Sequence, residues 1–122
     1  MKFLVPALLA ASTASLSAQV GAVSEKTRIF NGSAGFAGPV PDGAQFGYEL
    51  ANLGDLDGNG VPELAVASPY DPDGASLAGA VWILFLAADG TVIAQQKISA
   101  TAGGFGGTLN AFDRFGSQLA SV

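Results

Sequence analysis

The densest chemistry in this sequence lies in nine consecutive residues, Asp55-Leu56-Asp57-Gly58-Asn59-Gly60-Val61-Pro62-Glu63. Oxygen side chains fall at positions 1, 3, 5 and 9 of the run, Gly60 stands at position 6 where a sharp turn is needed, and the Val61 carbonyl at 7 is free to turn inward. A short loop of this kind wraps a hard cation with many oxygen ligands, and Ca²⁺ fits its flexible carbonyl and carboxylate set better than the smaller Mg²⁺ does. Three carboxylates drawn together on a tight turn repel one another, and a divalent cation removes that penalty. A helix–loop–helix calcium site would place a bidentate Glu at position 12. Val66 stands there instead, inside an apolar run that reads as a strand.

Little else in the chain supports reaction chemistry. With 0 Cys and 0 His among 122 residues, disulfides, Cys/His zinc sites, Cys nucleophiles and Ser-His dyads are excluded. Carboxylates outside the loop, such as Glu49 and Asp113, have no partner visible in sequence, so no intrinsic enzymatic activity is expected. A net charge of −5 with no basic run offers no footprint for a phosphate backbone, and nucleic acid is not an expected partner. Asp71-Pro72-Asp73-Gly74 reads as a solvated turn rather than a second ion site. The glycine-rich 103–107 lacks the Lys-Ser/Thr of a phosphate loop and reads as a connection. Asn31-Gly32-Ser33 is a glycosylation sequon, relevant only to a eukaryotic secretory route of which the chain gives no sign. Trp82 and Phe85 read as packing residues rather than a sugar-stacking platform.

The elements that must carry the loop follow from the pattern of the chain. Lys2, an apolar run over 3–11 that is too short to span a bilayer, and the small residues 12–15, Ser17 and Ala18 read as a secretory signal peptide, residues 1–18. No transmembrane segment is expected, and the protein is expected to be secreted or held at the cell surface. Beyond the signal, the chain repeats itself with a period of 69: residues 28–53 fall on 97–122 without a gap, with 8 identities in 26 positions. Ile29, Gly35, Phe36, Gly38, Phe46, Gly47, Leu50 and Ala51 meet Ile98, Gly104, Phe105, Gly107, Phe115, Gly116, Leu119 and Ala120. Strands are expected at 46–53, 64–67 and 80–86, the last continuously apolar and therefore covered on both faces. Asp89-Gly90 signals a type I′ hairpin into 91–98, whose Gln95, Gln96 and Lys97 suit an outer edge.

Four antiparallel strands per repeat predict an all-β chain built from β-propeller blades. Residues 24–43 are expected to hold the last strand of a preceding or closing blade plus a linker. A complete blade is expected over 44–99, and a linker with the first strand of the next blade over 100–122. So short a chain would form an incomplete propeller, completed by further blades of a longer protein or by self-association.

With these residues in place, the sequence resembles an FG-GAP repeat, the blade unit of the integrin α-subunit propeller and of many secreted bacterial relatives. The resemblance rests on Phe46-Gly47, the 55–63 loop, Ala67-Ser68-Pro69 and Gly79-Ala80-Val81-Trp82. It implies a Ca²⁺ site in the loop between the first two strands, with Asp55, Asp57, Asn59, the Val61 carbonyl and Glu63 as ligands. It further implies an extracellular adhesion or binding module whose partner is a protein or carbohydrate, or else the non-catalytic propeller portion of a secreted hydrolase or lyase. Two residues depart from the family pattern. Ala67 replaces a glycine and would be strained if that position needs a positive φ. Glu63 replaces the usual Asp, and its extra methylene favours water-mediated ligation.

Overall fold

The computed structural model describes Val23 and residues 25–122, so the expected signal peptide and residue 24 lie outside the described residues. Four strands, β1 (Leu50–Gly54), β2 (Glu63–Ser68), β3 (Ala80–Leu86) and β4 (Val92–Ile98), form one antiparallel sheet in sequential order. There is no helix among the described residues. Every consecutive pair is a meander connection, so the β1–β2 loop and the β3–β4 hairpin share one end of the sheet. The β2–β3 connection lies at the other.

Strand alternation sorts the apolar residues onto two faces. On one face the cross-strand pairs Val66–Trp82 and Leu64–Leu84 lie beneath Ile29, Phe36, Val40 and Phe46 of the N-terminal segment. Phe36 is buried and stacks on Phe46 at 5.0 Å, and both meet the Trp82 ring edge-on, at 5.1 and 6.5 Å. On the other face Ala51, Ala65, Val81 and Ile83 lie beneath Phe115 and Leu119 of the C-terminal segment. Neither flank adds a strand to the sheet. Each lies across one face, so β3 is covered on both sides, as its unbroken apolar run requires.

Those two flanks are the halves of the sequence repeat, and the period of 69 is also a backbone period. Positive φ recurs at Ala34 and Gly103, Gly35 and Gly104, Gly43 and Phe112, Gln45 and Arg114, and Gly47 and Gly116. The turn bonds recur as well: Ala44 N–H donates to Pro41 O at 3.2 Å as Asp113 N–H does to Asn110 O, also at 3.2 Å. Phe105 and Phe115, counterparts of Phe36 and Phe46, lie 5.2 Å apart.

Three expectations need correction. The first strand begins at Leu50 rather than Phe46, because residues 45–48 close a turn in which Tyr48 N–H donates to Gln45 O and Gly47 has φ 91°. Gly47 N–H still bonds Ala67 O at 2.9 Å, so this turn stays laced to β2. The 87–91 connection is not type I′, which needs positive φ at both central residues; only Gly90 (φ 83°) is left-handed. Gly90 N–H bonds Ala87 O at 2.9 Å and Ala87 N–H bonds Thr91 O at 2.8 Å, giving a three-residue loop beside a register shift at Phe85/Leu86. Asp89 Oδ1 accepts from Thr91 N–H and Oγ1–H at 2.9 and 2.7 Å, which fixes Asp89 without the left-handed conformation. Finally, Ala67 sits in extended β2 with no positive φ and is fully buried, so the departure from glycine there is unstrained.

Candidate functional site

The acidic loop joins β1 to β2 and is folded around its own carboxylates. Asp55 is the hub: its Oδ1 accepts from the N–H groups of Gly58 and Asn59 at 2.7 and 3.1 Å, and its Oδ2 from Gly60 N–H at 2.8 Å. These donors, Gly60 foremost, hold the Asp55 carboxyl below its ordinary value of 3.8. Asp57 Oδ1 accepts from Asn59 N–H at 3.1 Å, and Asn59 Oδ1 accepts from Val61 N–H at 2.8 Å. The Asn59 side-chain amide then reaches out of the loop and donates to Leu86 O at 2.9 Å, at the end of β3.

Glu63 is placed differently from the other loop residues. As the first residue of β2 it is fully buried, and its Oε2 accepts from Leu56 N–H at 2.5 Å and more weakly from Asp57 N–H at 3.4 Å. Its other oxygen, Oε1, is buried without a hydrogen-bond partner. One carboxylate oxygen each from Asp55, Asp57 and Glu63 lies within 4.8 Å of the others. At that spacing two unit charges repel by about 1 kcal/mol in water and about 3 kcal/mol at an effective dielectric of 20. Both ion pairs among the described residues belong to Lys97, and none reaches the loop. The fold therefore brings three of the five expected ligands together and orients Asn59 by two hydrogen bonds. Val61 contributes its N–H to Asn59 Oδ1.

A buried carboxylate with one oxygen lacking a donor, clustered with two more carboxylates and ion-paired to no Lys or Arg among the described residues, is a donor set suited to a hard cation. The residues present fit Ca²⁺ on this count, since all the clustered groups are oxygens and the loop is short and glycine-rich.

At the other end of the sheet the expected solvated turn is not solvated. Asp71 is fully buried, and Lys97 Nζ lies 3.0 Å from its Oδ2 and 3.3 Å from Asp73 Oδ2. Ser99 and Thr101 donate hydroxyls to Asp73 at 2.6 Å each. Those two hydrogen bonds, more than the Lys97 charge, hold Asp73 below its ordinary 3.8. This cluster carries its own cation in Lys97, a pairing between residues 26 apart that no local spacing rule finds. The sequon asparagine is likewise structural: Asn31 Nδ2 donates to Val40 O at 2.8 Å and Oδ1 accepts from Val40 N–H at 2.9 Å.

A four-stranded antiparallel meander with an acidic loop between its first two strands is the arrangement of a propeller-type blade. Residues 46–84, from the 46–49 turn through the acidic loop into β3, match the family model described as FG-GAP repeat. No solved structure matches the chain. No helix of the described residues is long and apolar enough to cross a membrane.

Proposed function

We propose that the chain is a calcium-binding, propeller-type module that serves recognition outside the cell and performs no catalysis of its own. The observation that carries this reading is Glu63, a fully buried carboxylate whose Oε1 has no donor and whose neighbours are Asp55 and Asp57. Asp55, Asp57 and Glu63 would hold the ion, with Asn59 Oδ1 at the loop's turn. Bound Ca²⁺ would supply the positive charge that the loop lacks. Asp55 already organises three backbone N–H groups, so the loop is shaped before any ion arrives, and binding spends little on ordering it. The mechanism is therefore structural: a charge-neutralised loop fixes one end of the blade as a rigid surface for a protein or carbohydrate partner.

Extracellular modules bind Ca²⁺ with dissociation constants of about 10⁻⁴–10⁻³ M. Calorimetric titration with CaCl₂, paired with thermal melts in chelator and in calcium, tests the reading. A calcium-dependent rise in Tm that is absent in Asp57→Ala is expected. A wild-type Tm that ignores calcium at about 10⁻³ M would remove the reading.

A further inference from the structure

We infer that Asn59 is a positioning residue that couples the acidic loop to the β3–β4 hairpin, and through it to the segment covering Trp82; this rests on the calcium reading above. Among the side chains of the loop, Asn59 alone is hydrogen-bonded to a strand beyond β2. Its Oδ1 closes the loop on Val61 N–H while its Nδ2 holds Leu86 O, across 27 residues of sequence. A single planar amide thus links the loop turn to the last residue of β3.

Leu86 stands at one of the two irregular points of the sheet, where the register slips between Phe85 and Leu86 as the hairpin bulges. The Asn59 amide supplies a donor to the Leu86 carbonyl at this slip. From Leu86 the hairpin reaches the N-terminal segment at two points. Val92 N–H donates to Ala34 O at 2.7 Å, and Thr27 Oγ1 donates to Asp89 O at 3.2 Å. The approach is close enough that a Cβ on Gly35 would collide with Val92 O. Asn59, Leu86, Val92 and Ala34 therefore form a continuous chain of contacts from the ion loop to the segment carrying Phe36.

If Asn59 Oδ1 turns toward a bound ion, the plane of the amide is fixed and Nδ2 is held on Leu86 O more firmly. Ion binding at one loop then slows opening of the neighbouring hairpin. Asparagine is required for this: aspartate keeps the ligand oxygen but has no donor, and faces Leu86 O with a second acceptor.

Amide hydrogen exchange on the full chain, in EDTA and in CaCl₂, separates the possibilities. The reporters are the N–H groups of Ala87, Gly90 and Val92, with those of β2 as an internal control for global folding. In wild type, calcium is expected to slow the three reporters by about threefold to tenfold, the range one net hydrogen bond provides. In Asn59→Asp, compared at a calcium concentration that saturates the variant by calorimetry whatever its altered affinity, the reporters exchange faster in EDTA and no longer respond to calcium, while β2 is unchanged. Wild-type reporters that ignore bound calcium, or Asn59→Asp reporters that still respond, overturn the coupling. Absence of any calcium heat in wild type overturns the calcium reading instead, and the EDTA comparison then judges the Asn59–Leu86 tie alone.

Discussion

Carboxylates gather at both ends of the sheet, and the two ends balance their charge by different means. At the β2–β3 end, buried Asp71 and part-exposed Asp73 meet Lys97, which β4 delivers across the sheet, and Ser99 and Thr101 complete the donors. At the β1–β2 end, Asp55, Asp57 and Glu63 converge with backbone N–H donors only, and one buried oxygen is left over. A side-chain ammonium gives the first cluster a counter-charge of its own, so it needs none from the solvent. Leaving the second without a basic residue makes it dependent on what the solvent contains. The difference separates a structural latch from the proposed ion site, although local composition is alike in both: two aspartates one residue apart, with glycine next to the second.

The largest expected effect comes from breaking the latch. Lys97→Met keeps the side-chain stem over Trp82 but strands two carboxylates, one of them fully buried, and should cost about 3 kcal/mol in urea denaturation. A loss below about 1 kcal/mol would erase the contrast, since exposed pairs contribute no more than that. Next, Asp57→Ala should remove calcium-dependent stabilisation, which is about 2.7 kcal/mol when calcium stands about 100-fold above its dissociation constant. Its effect in EDTA should be small.

Glu63→Gln sharpens the comparison through a change of sign. The amide keeps an acceptor for Leu56 N–H, removes one charge and offers a donor to Asp55 or Asp57. In EDTA the variant should therefore gain about 1 kcal/mol, and in calcium it should lose stability relative to wild type. The smallest effect concerns acid. Asp73 titrates below its ordinary 3.8 in the folded chain, so its contribution is complete above that pH and is lost as pH falls through the folded value. Ser99→Ala should flatten the decline of Tm below pH 3.8, because Ser99 is the largest cause of the depression.

Much of this molecule is legible in its residues, and the reason is periodicity. The apolar run over 80–86 states both the extent of β3 and its two-sided burial, and the spacing of Asp55, Asp57 and Glu63 states that their carboxylates meet. Phe36 and Phe46 recur at Phe105 and Phe115 because the same backbone path recurs. What was not legible depends on pairings that spacing does not encode. Lys97 reads as an edge-strand charge until the sheet places it over Asp71. Asn59 reads as a ligand, and its second bond, from Nδ2 to Leu86 O, shows only once the hairpin is placed beside it. Asp89-Gly90 misleads for a local reason, since the Thr91 hydroxyl and amide satisfy Asp89 and leave only Gly90 left-handed. Position 112 holds Phe where its counterpart 43 is Gly, though both have positive φ, so composition alone would not mark the turn.

Trp82 gives the chain an optical property. It is the one tryptophan in 122 residues, it is buried under Phe36 and Phe46, and the Lys97 ammonium stands 5.5 Å from its ring. Its emission in the unlabelled protein therefore comes from a single indole at the junction of the N-terminal segment, β3 and the latch. Lifting the segment would admit water and shift that emission to the red, while neutralising or removing Lys97 would change the field across the ring without wetting it. One spectrum thus distinguishes an undocked segment from a broken latch, with no label added.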